Sequence, residues 1–223
     1  MTKPDPGKLM SLYLPIALKV NGWRCLVVGG GEVAARRVET LLEAGAEVVV
    51  VAPQVLPAIS KWVEQGQVEH IPSEFQEIHL NNIKLLISAT NQPEVNQRVT
   101  ELAHERGILV NDAETPERGD FVVPSVLRRG DLTITVNTGG SSPGLARKVR
   151  DILAEQFGPE WDPYVALLGE IREHVLNNVS EAGRRKKILA ALVSDDTLLN
   201  LLREGRDEDA RTRALSCISL LLD

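Results

Sequence analysis

Three glycines set between a short apolar run and a helix-spaced segment constrain this chain more than any other feature. Residues 25–28 (CLVV) lead directly into Gly29-Gly30-Gly31-Glu32-Val33-Ala34. Val33, Val38, Leu41 and Leu42 then recur near helical spacing, and Gly45 supplies a stop. In a strand–turn–helix setting this is the G-x-G-x-x-A form of the dinucleotide-binding pattern. Gly29 permits the tight turn, Gly31 has no Cβ to hold a pyrophosphate away from the backbone, and Ala34 lets helix and strand approach closely. The free N–H groups and the positive end of the helix dipole then face the anion.

The rest of the first half alternates in the same way. A run at 14–20 (LPIALKV) precedes the glycine loop's strand and joins it through Asn21-Gly22, which predicts an antiparallel hairpin with a type I′ turn. Residues 47–52 (EVVVVA) form a nearly unbroken β-branched run, as in a strand buried on both faces. A helix is expected at 56–64, strands at 68–71 and 84–90, a helix at 94–105 and a strand at 108–112. Such alternation implies parallel crossover units and an α/β, Rossmann-like doubly wound sheet.

After Pro116 the pattern changes. Extended runs at 121–127 and 132–137 flank Arg128-Arg129-Gly130-Asp131 and read as an antiparallel hairpin. Thr138-Gly139-Gly140-Ser141-Ser142-Pro143 follows, with Ser142 placed to cap a helix and Pro143 at its first position. Helices are expected at 162–179, 181–193, 197–203 and 207–222. In the first, second and fourth of these segments, Val165, Leu167, Leu168, Ile171, Leu189, Leu192, Val193, Leu215, Ile218 and Leu221 read as packing stripes. The expected division is a Rossmann domain at 1–117, an extended segment at 118–150 and a small helical domain at 151–223.

Composition narrows the class. A net charge of -6 argues against a general nucleic-acid binder. Two distant cysteines, Cys25 and Cys217, make no disulfide framework and suit a reducing cytosol. The N-terminus lacks the apolar core of a signal peptide, and no apolar run reaches the roughly 18 residues of a membrane span. A cytoplasmic protein is expected. His70, His79, His104 and His174 are scattered and no C-x-x-C or H-x-x-x-H spacing occurs, so no metal site is assigned.

The second strand ends Val51-Ala52-Pro53-Gln54, without the carboxylate that often binds a ribose 2′-OH and without an arginine for a 2′-phosphate. Gln54 or backbone groups would have to take the ribose, and the choice between NAD and NADP stays open at this loop. Thr90-Asn91 fall where open α/β sheets bind ligands, although the same spacing fits a polar turn before the next helix.

The stretches LPIALKVNGWRCLVVGGGEVAARRVETLLEAGAEVVVVAP, ATNQPEVNQRV and FVVPSVLRRGDLTITVNTGGSSPGLAR, followed by a helical tail, together resemble the precorrin-2 dehydrogenase family, the dehydrogenase/ferrochelatase module of siroheme synthase. The resemblance runs from about Tyr13 to Arg150 and is most specific in TGGSSPGLAR. It implies NAD-dependent oxidation of precorrin-2 to sirohydrochlorin, with iron insertion in some members. It also implies a homodimer joined through the extended segment, and a stand-alone form without the methyltransferase half. By position, Glu32, Val33, Pro53 and Gln54 correspond to the family's NAD contacts, beside Gly29, Gly30 and Gly31. The family's acid/base aspartate, just before a proline, corresponds to Glu114, with Asp112 as second candidate. Glutamate carries its carboxylate one methylene further out, a displacement that matters for catalysis and leaves metal insertion open.

A substrate with eight carboxylates calls for cations and N–H donors. Thr138, Gly139, Gly140, Ser141 and Ser142 before a helix N-terminus offer hydroxyls and backbone amides, and Arg147, Lys148 and Arg150 follow on that helix. Two other readings fit parts of this pattern: a regulatory Rossmann module that senses NAD, and a dehydrogenase for another acidic metabolite. The first does not account for TGGSSPGLAR; the second stays open from the residues alone, and precorrin-2 as substrate is what the resemblance implies.

Overall fold

The computed structural model describes residues 13–222. Two compact units divide the chain, one ending at Val123 and the other beginning at Pro124. The first holds a five-stranded parallel sheet of β1 (Arg24–Val28), β2 (Glu47–Val51), β3 (Val68–Ile71), β4 (Leu85–Ser88) and β5 (Leu109–Asp112), in the order β3-β2-β1-β4-β5. Helices α1 (Glu32–Glu43), α2 (Pro57–Glu64) and α3 (Pro93–Glu105) make the crossovers.

The sheet is covered on both faces because its central strands β1, β2 and β4 are apolar at nearly every position rather than at alternate ones. Cys25, Val27, Val48, Val50, Leu85 and Ile87 face α1 and α2, whereas Leu26, Val28, Val49, Val51, Leu86 and Val110 face α3. Each such side chain, fully buried, contributes about 1.5–3 kcal/mol. Burial also pushes the Cys25 thiol up to about 11, leaving it an inert core residue.

The predicted N-terminal hairpin does not form. Residues 14–20 make no strand, and Leu14 and Ile16 stand 81% and 71% exposed. The reason is steric occupancy: β1 pairs with β2 on one edge and β4 on the other, so no edge remains for an antiparallel partner. Asn21-Gly22 still turns the chain, with Gly22 at φ 68° and the Trp23 amide donating to Val20, but it leads into a sheet interior.

In the second unit, β6 (Ser125–Arg129) and β7 (Leu132–Val136) form the antiparallel hairpin, closed by Gly130-Asp131. The first of these strands starts later than expected. The amides of Asp120 and Phe121 both donate to Val110, which keeps that stretch with β5 of the first sheet. Helix α4 (Pro143–Gln156) packs on both hairpin strands. Helices α5 (Trp161–Asn178), α6 (Ala182–Val193), α7 (Asp196–Arg203) and α8 (Asp207–Leu222) close around Tyr164, Leu167, Ile171, Val175, Ile188, Leu192, Leu198 and Leu202. Val193 and Leu215, read as stripe positions, are 63% and 40% exposed. Val193 is the last residue of its helix. Leu215 lies one residue, about 100°, away from the buried row Ala210, Ala214 and Ile218. Leu221 lies outside the described side chains. No helix among the described residues is long and apolar enough to cross a membrane.

Candidate active site

Parallel register sets the site. Ile71, Val51, Val28, Ser88 and Asp112 form one row across the sheet, so the loops that follow all leave from its carboxyl edge. Crossovers reverse direction between β1 and β4, which is where open α/β sheets bind ligands.

The glycine loop sits at that reversal, and its three glycines have three different reasons to be there. Gly29 adopts φ 125°, and a Cβ on it would stand 2.3 Å from the Ala89 carbonyl oxygen. At Gly30 a Cβ would stand 2.0 Å from the Gln54 carbonyl oxygen, so the loop after β2 packs directly on it. The Leu56 amide donates to the Gly30 carbonyl at 2.9 Å and fastens the two loops together. Gly31, by contrast, has nothing within 4 Å and an ordinary extended conformation. It is the residue before α1, and no side chain caps that helix. The first-turn amides, those of Glu32 and Val33 among them, therefore lack the partner that a cap would supply. Gly31, Glu32 and Val33 are exposed, as are Pro53 and Gln54. An uncapped helix start beside an open glycine fits the pyrophosphate of a dinucleotide.

Thr90 and Asn91 close the other side of the crevice. The Thr90 hydroxyl accepts from the Gln92 amide and lies 2.7 Å from Asn96 Oδ1, so Thr90 organises the start of α3, and Asn91 is exposed.

Glu114 and Asp112 differ sharply although two residues separate them. Asp112 is completely buried, and its Oδ1 accepts from the Glu114 and Thr115 amides at 3.0 and 2.9 Å. Its Oδ2 has no hydrogen-bond partner, and the Arg118 guanidinium stands 3.9 Å away. Glu114 is exposed, and one of its oxygens accepts from Asn96 Nδ2 at 3.0 Å. Asn96, itself fully buried, escaped the sequence reading, as did Arg118. A signal for Asn96 existed: with Val99, Thr100 and Ala103 it occupies the buried stripe of α3, where a polar residue needs partners.

In the second unit, the 138–142 loop is folded on its own side chains. Asn137 Oδ1 accepts from Gly139, Thr138 Oγ1 from Ser142, and Ser142 Oγ from Leu145, the expected cap. Gly139 and Gly140 take φ 61° and 82° with open space around them. Arg147 and Lys148 are exposed on α4, while Arg150 pairs with Asp151. Arg129 is a structural residue, its Nε donating to the Phe157 and Gly158 carbonyls. Among the described residues no three His, Cys, Asp or Glu side chains gather as a metal site.

Comparison with known proteins covers both units. A family model described as "Putative NAD(P)-binding" matches residues 16–125, and one described as "Sirohaem biosynthesis protein central" matches 129–156. A siroheme synthase of Methylobacillus flagellatus is 36% identical over 198 residues, covering 89% of this chain and 42% of that protein. One of Photobacterium profundum is 34% identical over 204 residues, covering 92% and 43%. The chain thus spans about two-fifths of the length of these relatives. Among solved structures, SirC, a precorrin-2 dehydrogenase, superposes with a TM-score of 0.76 at 26% identity, covering 92% of this chain and all of that one.

Proposed function

We propose that this chain, which belongs to the precorrin-2 dehydrogenase family and matches about two-fifths of each siroheme synthase named above, oxidises precorrin-2 to sirohydrochlorin with NAD. The observation that carries the reading is the open, uncapped start of α1 at the sheet's reversal point, with an exposed carboxylate two strands away at the end of β5. Adjacent strands lie about 4.8 Å apart, so the strand ends from which the two features lead are about 10 Å apart, within the span of one bound dinucleotide.

NAD, when bound, supplies the hydride acceptor. The amides of Gly31, Glu32 and Val33 hold the pyrophosphate, and Pro53, Gln54, Thr90 and Asn91 border the crevice on its two sides. Glu114 takes the proton released as the hydride departs, so that two hydrogens leave the macrocycle as H⁻ and H⁺. Its exposure lets it meet a substrate. Asp112 is enclosed and fixes the turn that presents Glu114. Thr138, Gly139, Gly140, Ser141, Ser142 and Arg147 receive substrate carboxylates, chiefly through hydroxyls and the guanidinium, since several of the loop's amides already have partners. We assign the protein to the cytoplasm, as a homodimer joined through the hairpin segment.

The test is to incubate the pure protein with precorrin-2 and NAD and follow sirohydrochlorin absorption, with and without ferrous or cobaltous ion. The expected result is sirohydrochlorin and NADH in equal amounts, and metal uptake in the second arm would add chelation. No sirohydrochlorin above the protein-free control would overturn the proposal. Sedimentation at micromolar concentration checks the dimer.

A further inference from the structure

We propose that Asn96 is a positioning residue for the acid/base carboxylate, fixing which oxygen of Glu114 carries the mobile proton. The inference rests on the role given to Glu114 above.

Asn96 lies in the first turn of α3 and is completely buried. Its carboxamide joins two strand ends. Oδ1 accepts from the Ser88 hydroxyl at 2.8 Å, the Thr90 amide at 3.1 Å and the Thr90 hydroxyl at 2.7 Å. Nδ2 donates to the Thr90 carbonyl at 3.0 Å and to Glu114 Oε2 at 3.0 Å. The orientation of the amide is fixed by the backbone. The Thr90 N–H can only donate and the Thr90 C=O can only accept, so the oxygen must face the first and the nitrogen the second. Both Nδ2 hydrogens are then committed, one to Thr90 and one to Glu114.

A consequence follows for the carboxylate. Oε2 must stay an acceptor to keep the Asn96 bond, so a proton arriving at Glu114 goes to Oε1. Glutamate needs such a tether more than a shorter side chain, because it has an additional rotatable bond and its backbone sits on an exposed loop. The same amide reaches back to Thr90 at the crevice, so cofactor side and acid/base side share one rigid support. Misplacing a reacting group by about 1 Å can cost roughly 100-fold in rate.

The experiment is a double-substitution cycle with Asn96→Asp and Glu114→Ala. Asn96→Asp keeps the shape and the Oδ1 acceptor but removes both N–H donors. It is expected to lower kcat for precorrin-2 oxidation roughly 10–100-fold, with KM for NAD changed less than about three-fold. In the Glu114→Ala background the same substitution should change kcat less than about two-fold, because the group it acts through is gone. Losses that multiply would show a general structural role and overturn the proposal, as would unchanged kcat in Asn96→Asp. Wild-type turnover by Glu114→Ala would overturn it together with the role of Glu114. Should Asn96→Asp fail to fold, Asn96→Ser takes its place in the cycle. Urea midpoints of the same four proteins give a readout that needs no substrate. Non-additive midpoints support the Asn96–Glu114 contact even if precorrin-2 is not turned over, and additive midpoints overturn it whatever the reaction.

Discussion

Two glycine-rich loops in this chain each lead into a helix, and they handle their backbone amides in opposite ways. At 29–31 the loop has no polar side chain of its own and α1 begins uncapped. At 138–142 the Asn137 and Thr138 side chains accept from the Gly139 and Ser142 amides, and Ser142 caps the following helix by accepting from Leu145. Both sequences look like anion cradles. The first leaves the amides at its helix start for a ligand, whereas the second commits several of its own. The question that separates them is where each backbone donor finds its partner, which composition alone does not answer.

The largest effect expected from this difference is at Gly30. Gly30→Ala drives a methyl group into the Gln54 carbonyl. Overpacking of this kind costs about 1–3 kcal/mol, and we expect a fall in Tm of about 5 °C together with loss of NAD binding, read by thermal scanning and calorimetry. Gly31→Ala is the next largest and separates function from folding. Its backbone suits alanine and the space is open, so Tm should stay within about 2 °C while NAD affinity falls about ten-fold. If the affinity holds, the pyrophosphate does not approach Gly31.

Ser142→Ala probes the other loop. Loss of the cap on α4 should cost about 1 kcal/mol and raise the KM for tetrapyrrole more than that for NAD. Equal changes in both would count against a substrate role for this loop. The smallest effect concerns a third helix start, where Asp195 caps α7 by accepting from the Thr197 amide. Hydrogen bonding to Arg213, above all, holds the Asp195 carboxyl below its ordinary value. A carboxyl lowered on folding adds stability above its unfolded value, near pH 4, and the contribution disappears as pH falls through the folded value. The helical unit should therefore lose a little stability below about pH 4, and Asp195→Asn should abolish that part of the dependence in a circular-dichroism titration.

Much of the architecture was readable because the residues that build it act locally. The valines of β2 can serve only a strand covered on both faces, and Ser142-Pro143 marks the start of α4 by side-chain chemistry alone. The run at 14–20 misled for a non-local reason: Asn21-Gly22 favours a hairpin, but both edges of β1 are taken by strands from far along the chain. Within the candidate site the glycines could be singled out from order and spacing, and Glu114 through the family resemblance. Asn96 could not, because its importance arises from Ser88, Thr90 and Glu114 meeting it across three separate segments. The contrast between Asp112 and Glu114 is likewise one of burial, which neighbouring identical charges do not reveal.

The uncapped amides of α1 are the centre of this account, and they can be watched individually. Titrating NAD into the ¹⁵N-labelled protein should move the amide resonances of Gly31, Glu32 and Val33 strongly and leave those of Gly139 and Ser142 nearly in place. Saturable NAD binding without movement of the first group, or no binding at all, would contradict it.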